Sequence, residues 1–369
     1  MKEIRLIKPY ITYSDVEDDF KDIFESGFFT KGKNVQAFGQ EFSAYTGAKY
    51  SFLTTSATTA LWTCLKLLGV TYGDEVIVSD FSFPASSNVI EDLGAAAIFA
   101  DVLLDTYNMC PKDLKKKISS RTKAVMFVDA LGNPTGISEI KEICSQHNIP
   151  LIEDAACAIG SSEHTVRCGN IADLTCFSFH PRKLLCTGEG GAITTNNDHW
   201  AKLLQIKLNH GADGMAGTAL NFPEYGYNFR LPELSAVMGR KQLSALDAVI
   251  AGRNETRQEY IKKLEPLGFV SQEVGNDVVY NVQSLVFKVP KNIDRDKLMA
   301  FLKKNGIETS IGTYALSSTT YNKNKYNNIQ PNAKILFETT ITLPCYHEVN
   351  VNYIAEKIST FILNISGDA

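Results

Sequence analysis

The chain has 369 residues, 44% of them apolar, with 37 Lys and Arg against 41 Asp and Glu. A formal net charge of −4, without a basic stripe carrying interleaved aromatics, argues against nucleic acid as a partner. No apolar run is long enough to span a bilayer, so no membrane is expected either.

The first residues, MKEIRLIKPYITYSDVEDD, lack the unbroken apolar stretch of a signal peptide. Eight cysteines are scattered without a C-x-x-C pair or the spacing of a zinc site. The expectation is a cytoplasmic protein with free thiols and no metal.

Along the chain, a polar entry leads to a helix over Val35–Tyr45, and then a rhythm sets in. β-prone runs fall at Lys49–Thr54, Glu75–Ser79, Ala97–Asp101, Ala124–Asp129, Pro150–Asp154, Leu174–Phe179 and Gly191–Thr195. Helical periodicity occupies Thr58–Leu68, Ser86–Leu93, Pro111–Ile118 and Ser138–His147 between them. Strands alternating with helices predict a seven-stranded, mainly parallel sheet covered on both faces. From Pro232 the rhythm changes. A long helix over Leu234–Lys263 links to a smaller α+β unit, with strands at Asn281–Val289, Ile307–Thr313 and Ile341–Pro344 and helices at Arg295–Asn305 and Asn352–Leu363. The length and this change predict two domains, 1–240 and 241–369.

Five stretches carry candidate chemistry. Thr54–Leu61 joins the first strand to a helix, either as an anion site built on free N–H groups or as a plain Ser/Thr cap. It is not a Walker loop, and no G-x-G-x-x-G follows the strand. Asp80–Ala85 sets Phe81 and Phe83 two apart, as a ring cover or as core. Asp154 closes a buried strand, where α/β sheets place ligand-binding groups, or caps the next helix. Lys183 lies on a tight connection between two β-prone runs, followed by Gly188-Glu189-Gly190-Gly191. Desolvation there lowers an ammonium's pKa, and an amine so tuned attacks carbonyls; the other reading is a solvated loop lysine. Tyr225–Leu231 mixes glycine, aromatics and polar groups ahead of the long helix, as a linker or a binding loop. The order of these stretches matches pyridoxal 5'-phosphate: a phosphate cradle, a ring cover, an aspartate for the pyridine nitrogen and a lysine for the aldehyde.

With these motifs the chain resembles the DegT–StrS sugar aminotransferases over nearly its whole length. The resemblance is carried by Ser56–Leu61, Gly73–Val78, Phe81-Ser82-Phe83, Glu153–Ala156, Ser178–Lys183, Gly188–Gly191 and Gly226–Leu231. It implies the type I aspartate-aminotransferase fold and pyridoxal phosphate as cofactor. It further implies Lys183 as Schiff-base lysine and proton shuttle, Asp154 on the pyridine nitrogen and Phe83 on the ring. Thr58, Thr59 and Ser178 would hold the phosphate, and Asn228, with Arg230 as a further candidate, would reach it from a second subunit of a homodimer with shared active sites. Two departures stand out: Cys157 where the family often has Gln or His beside the ring hydroxyl, and Ala57 where Gly is commoner. A thiol is a poor donor.

The implied activity is transfer of an amino group, from L-glutamate, to a nucleotide-linked keto-deoxysugar. Two rivals share the fold. A deoxysugar dehydrase carries histidine in place of the lysine, and His180 stands three positions away; Leu131-Gly132-Asn133-Pro134 resembles a segment of some dehydrases. A non-catalytic regulator tends to lose the lysine or the aspartate, and both are present. Tyr314 either faces the sugar or packs in the small unit.

Overall fold

The computed structural model describes residues 3–367. The seven expected runs form seven strands of one sheet: β1 (Tyr50–Thr54), β2 (Glu75–Ser79), β4 (Ala96–Ala100), β5 (Thr122–Val128), β6 (Leu151–Asp154), β7 (Leu174–Ser178) and β8 (Gly191–Thr195). A two-residue β3 (Phe81–Ser82) lies outside it. The order is β1-β8-β7-β6-β5-β2-β4, with β8 alone antiparallel to its neighbours. The reason is the connection. No helix separates β7 from β8, and a parallel return needs a crossover.

Every residue of β2, β6, β7 and β8 is buried, as expected of strands covered on both faces. Helices α3 (Ala57–Leu67) and α4 (Ala85–Asp92) lay Leu61, Leu65 and Ile90 on Val76, Val78 and Phe99. On the opposite face, α5 (Pro111–Lys117) and α6 (Ile137–Gln146) lay Leu114, Ile140 and Ile143 on Ile77, Val125 and Phe127. Alternate residues of one strand thus feed two cores.

Helix α1 (Glu17–Ser26), within the expected polar entry, sets Phe20 and Ile23 at helical spacing and packs them with Val16 beside Val237 of the long helix. Helix α2 (Lys33–Thr46) packs Phe38 and Phe42 beside Leu243 and Leu246 of α8 (Glu233–Leu264), which follows α7 (Asp198–Lys207). Glu233 fixes that contact. Its buried carboxylate accepts the N–H groups of Gly32, Asn34 and Val35 at 2.8–2.9 Å, capping α2 from about 200 positions away.

The second sheet runs β9-β10-β13-β11 through Val270–Ser271 (β9), Leu285–Lys288 (β10), Ser310–Ile311 (β11) and Thr340–Leu343 (β13). It packs against α9 (Arg295–Lys304), α12 (Val351–Gly367) and the end of α8. Two expected strands are shorter than their sequence patterns. Asn281–Gln283 leaves the strand because Val282 turns to φ 53°. Ile307 and Glu308 leave theirs to pair with Ile4 instead. The expected boundary between 240 and 241 falls inside α8.

The two sheets meet where β12 (Tyr314–Ala315) pairs with β3. Helices α10 (Thr320–Tyr326) and α11 (Pro331–Thr339) follow. Asp80 holds this joint. Its carboxylate accepts from the N–H of Ser317 at 2.6 Å and from its hydroxyl at 2.7 Å, and its carbonyl accepts from the N–H of Leu316 at 2.8 Å. Burial pushes the Asp80 carboxyl up to about 7, with Asp101 adding to the shift and Ser317 and Lys117 opposing it. A carboxyl raised on folding binds its proton more tightly in the native state, so stability is lost as pH climbs from the ordinary carboxylate range to about 7. Asp80→Asn removes that loss. The melting temperature of the variant should gain on wild type by about 5 °C between pH 4 and pH 8. A difference that stays constant across that range contradicts it.

Among the described residues, no helix is long and apolar enough to cross a membrane.

Candidate active site

Parallel strands end at one edge of their sheet, and the antiparallel β8 begins there. The register sets Thr54, Gly191 and Ser178 side by side on β1, β8 and β7, and Asp154 ends β6 on the same edge. The close approach requires glycine: a Cβ on Gly191 would stand 2.6 Å from the carbonyl oxygen of Phe177 and 2.8 Å from the nitrogen of Ala57. The start of α3 therefore lies directly against the strand ends.

Ser56 caps α3. Its hydroxyl accepts the N–H of Thr59 at 3.1 Å, and Thr59 Oγ1 receives the N–H of Ser56 at 3.2 Å. Thr59 thus spends both groups on the cap, and its hydroxyl also meets Thr55. The N–H groups of Ala57 and Thr58 remain the open donors of the first turn, and Thr58 is exposed. Ser178 is buried, and its hydroxyl accepts the N–H of His180 at 3.4 Å.

Asp154 is buried but keeps acceptor capacity. Oδ2 accepts from the Ser86 hydroxyl at 2.7 Å, and Oδ1 from the N–H of Ala156 at 3.2 Å. A carboxylate offers about four lone-pair sites, so room is left for one more donor. Ser86 spends its only proton on Asp154, so in its 2.8 Å contact with Ser82 the donor is Ser82. Burial raises the Asp154 carboxyl above its ordinary range, and Ser86, the Ala156 N–H and the charge of Lys183 oppose that. Ser86 carried no sequence signal.

Lys183 is half-buried, and its Nζ donates to Sγ of Cys157 at 3.0 Å. It thereby reaches the turn that follows Asp154. His180 behaves differently: it is exposed, and its Nδ1 accepts the N–H of Arg182. Phe83 is 65% exposed and meets Tyr314 edge-on at 6.2 Å. Tyr314 also stacks on Phe337 at 6.1 Å.

Asn228 and Arg230, both expected to act across subunits, lie in a separate loop of this chain. Asn228 pairs with Asn209 in a loop whose Tyr227 packs on Trp62, and Arg230 donates to Asn209 Oδ1 at 3.3 Å.

Behind β6, Asp129, Glu153 and Cys168 are fully buried, with ligand atoms within 4.8 Å of one another. Burial raises both carboxyls: the Glu153 charge adds to the shift of Asp129, and the Thr175 hydroxyl and Gly169 N–H, which donate to Glu153, oppose that of Glu153.

Three features suit pyridoxal phosphate. Two open N–H groups at a helix start suit a phosphate, the carboxylate with spare capacity suits a pyridinium N–H, and the exposed Phe83 ring suits a planar face.

The family model for the DegT/DnrJ/EryC1/StrS aminotransferases matches residues 12–360. A GDP-perosamine synthase of Vibrio cholerae is 33% identical over 78% of this chain and 79% of its own length. Another, from Escherichia coli O157:H7, is 30% identical over 98% of this chain and 99% of its own. A Streptococcus pneumoniae protein solved in a PMP-form and a PLP-form is 26% identical, over 97% of this chain and 98% of its own, with TM-scores of 0.91 and 0.88.

Proposed function

The chain belongs to the DegT/DnrJ/EryC1/StrS aminotransferase family, and from that premise we propose that it transfers the amino group of L-glutamate to a nucleotide-linked keto-deoxysugar. The observation that carries this reading is the reach of Lys183 Nζ to Cys157, three residues past the buried Asp154. Pyridoxal phosphate, when bound, supplies an electron sink that acidifies the carbon bearing the amine. The chain's residues do the rest. Asp154 holds the ring nitrogen protonated. Phe83 covers one face. The Ala57 and Thr58 N–H groups, with Ser178, bind the phosphate, and Thr59 serves by capping the helix that presents them. Lys183 removes the proton from the donor's α-carbon and later delivers one to the sugar carbon.

Asn228, exposed and unoccupied by the site of its own chain, is free to serve a second copy, so the working unit is a homodimer with shared active sites. The setting is the cytoplasm. Residues 1–240 make the cofactor unit and 241–369 the smaller one, with α8 running through both. Cys157 replaces a hydrogen-bonding side chain beside the ring hydroxyl and leaves that oxygen without a strong donor.

A dehydrase needs histidine at the lysine's place, and His180 points back to its own loop. The test is incubation of purified protein with pyridoxal phosphate, glutamate and a panel of nucleotide-linked keto-sugars, followed by mass spectrometry. GDP-linked sugars head the panel because two relatives are GDP-perosamine synthases. An aminated sugar nucleotide is expected. A deoxygenated keto-sugar without nitrogen would instead identify the dehydrase.

A further inference from the structure

Residues 281–289 alternate as a strand, yet the chain abandons strand geometry at 281–283. Val282 sits at φ 53°, a left-handed conformation that a β-branched side chain strongly resists. Such strain persists only where the surroundings hold it in place, and it clusters at functional sites. Here Arg253 holds it: its guanidinium donates to the carbonyl of Val282 at 2.9 and 2.7 Å and to that of Gln283 at 3.2 Å.

What the turn gains is the placement of two buried amides. Gln283 Nε2 donates to the carbonyl of Arg182 at 2.7 Å, and its Oε1 accepts the N–H of Leu184 at 2.9 Å. Those two residues flank Lys183. Asn281 Nδ2 donates to the carbonyls of Cys157 at 2.8 Å and Ile159 at 2.9 Å, while its Oδ1 accepts the N–H of Gln283 at 2.9 Å. One amide therefore grips the backbone on both sides of the lysine, and the other grips the backbone of the cysteine that the lysine touches. Every donor faces an acceptor, so flipping either amide would set donor against donor.

We infer that Gln283 and Asn281 are positioning residues that fix where Lys183 Nζ stands relative to Cys157 and Asp154. This rests on the reading of Lys183 as the reacting amine. Because both amides come from the smaller unit and act on the cofactor edge, the separation of the sheets does not leave the lysine loop free. The lysine's reach is set from 99 to 101 positions downstream. Displacing a reacting group by about 1 Å costs on the order of 10²-fold in rate.

The test uses the full-length holoenzyme with Gln283→Leu, which removes both bonds at similar volume. Single-turnover reaction with glutamate should slow by roughly 10- to 100-fold, with the glutamate concentration for half-maximal rate little changed. Apo-protein mixed with pyridoxal phosphate should also form its borohydride-trappable bond more slowly. Peptide mapping of the reduced protein should still find the label on Lys183. If Gln283→Leu does not fold, Gln283→Glu, which keeps the acceptor for the Leu184 N–H and loses the donor to Arg182, carries the test with the same expected direction. Wild-type single-turnover and trapping rates in a folded variant, with only the melting temperature lowered, would overturn the inference. A label on a residue other than Lys183 in wild type would overturn the reading beneath it instead.

Discussion

Lys183→Ala is expected to abolish amino transfer, with the rate falling by roughly 10⁴-fold or more. Two roles vanish together: the amine that joins the cofactor and the base that moves the proton. The fold should survive. The side chain is half-buried and contributes one side-chain hydrogen bond, to Cys157, whereas the loop itself is held by Gln283 and by the bond from the Lys183 N–H to the His180 carbonyl at 2.8 Å. Purified variant mixed with pyridoxal phosphate should lack the visible band that wild type develops and that glutamate bleaches. Aminated product formed at the wild-type rate would remove Lys183 from the chemistry.

Asp154→Asn should lower the rate of the glutamate half-reaction by roughly 10²–10³-fold, the scale seen when one preorganised electrostatic partner is lost. The substitution keeps the shape but removes the charge that holds a ring nitrogen protonated. It also sets an NH₂ group against either the Ser86 hydroxyl or the Ala156 N–H, both of which now donate to the carboxylate. Stability should move the other way. Burial raises the Asp154 carboxyl above its ordinary range, so the ionised form costs native stability as pH rises past that range, and a neutral amide carries no such cost. At pH 8 the variant should melt no lower than wild type while turning over far more slowly. Parallel loss of both would make Asp154 a folding residue, and unchanged turnover would release it from the site.

The seven strands were legible because fully buried strands leave continuous apolar runs, and the sheet needed no further information to be mainly parallel. The places of Asp154 and Lys183 were legible for a related reason: Asp154 closes an apolar run and so lies at a strand end, and Lys183 falls in the connection between two such runs. The long helix α8 agrees with its expected span to within one residue at either end. Short elements were less readable. Helix α1 carries a short period, Phe20, Ile23 and Phe24, among five acidic residues, and the two-residue strands β3 and β12 are too short to show a pattern.

At the phosphate end the structure separates two neighbours by their hydrogen bonds. Thr58 and Thr59 look equivalent in sequence, but the cap formed with Ser56 consumes both donor groups of Thr59 and leaves those of its neighbour open. Only geometry separates the two.

The sequence by itself determined the sheet and its edge, and with them the place of Asp154 at a strand end and of Lys183 on the connection between two strands, because each rests on contacts within a short run or on burial that composition records. Tertiary structure alone decided what surrounds them. Ser86 reaches Asp154 across 68 positions, Gln283 reaches the lysine loop across 99 and 101, and Asn281 reaches Cys157 across 124. A buried polar side chain is stable only with a partner, and nothing in a linear pattern states which distant carbonyl or carboxylate that partner will be.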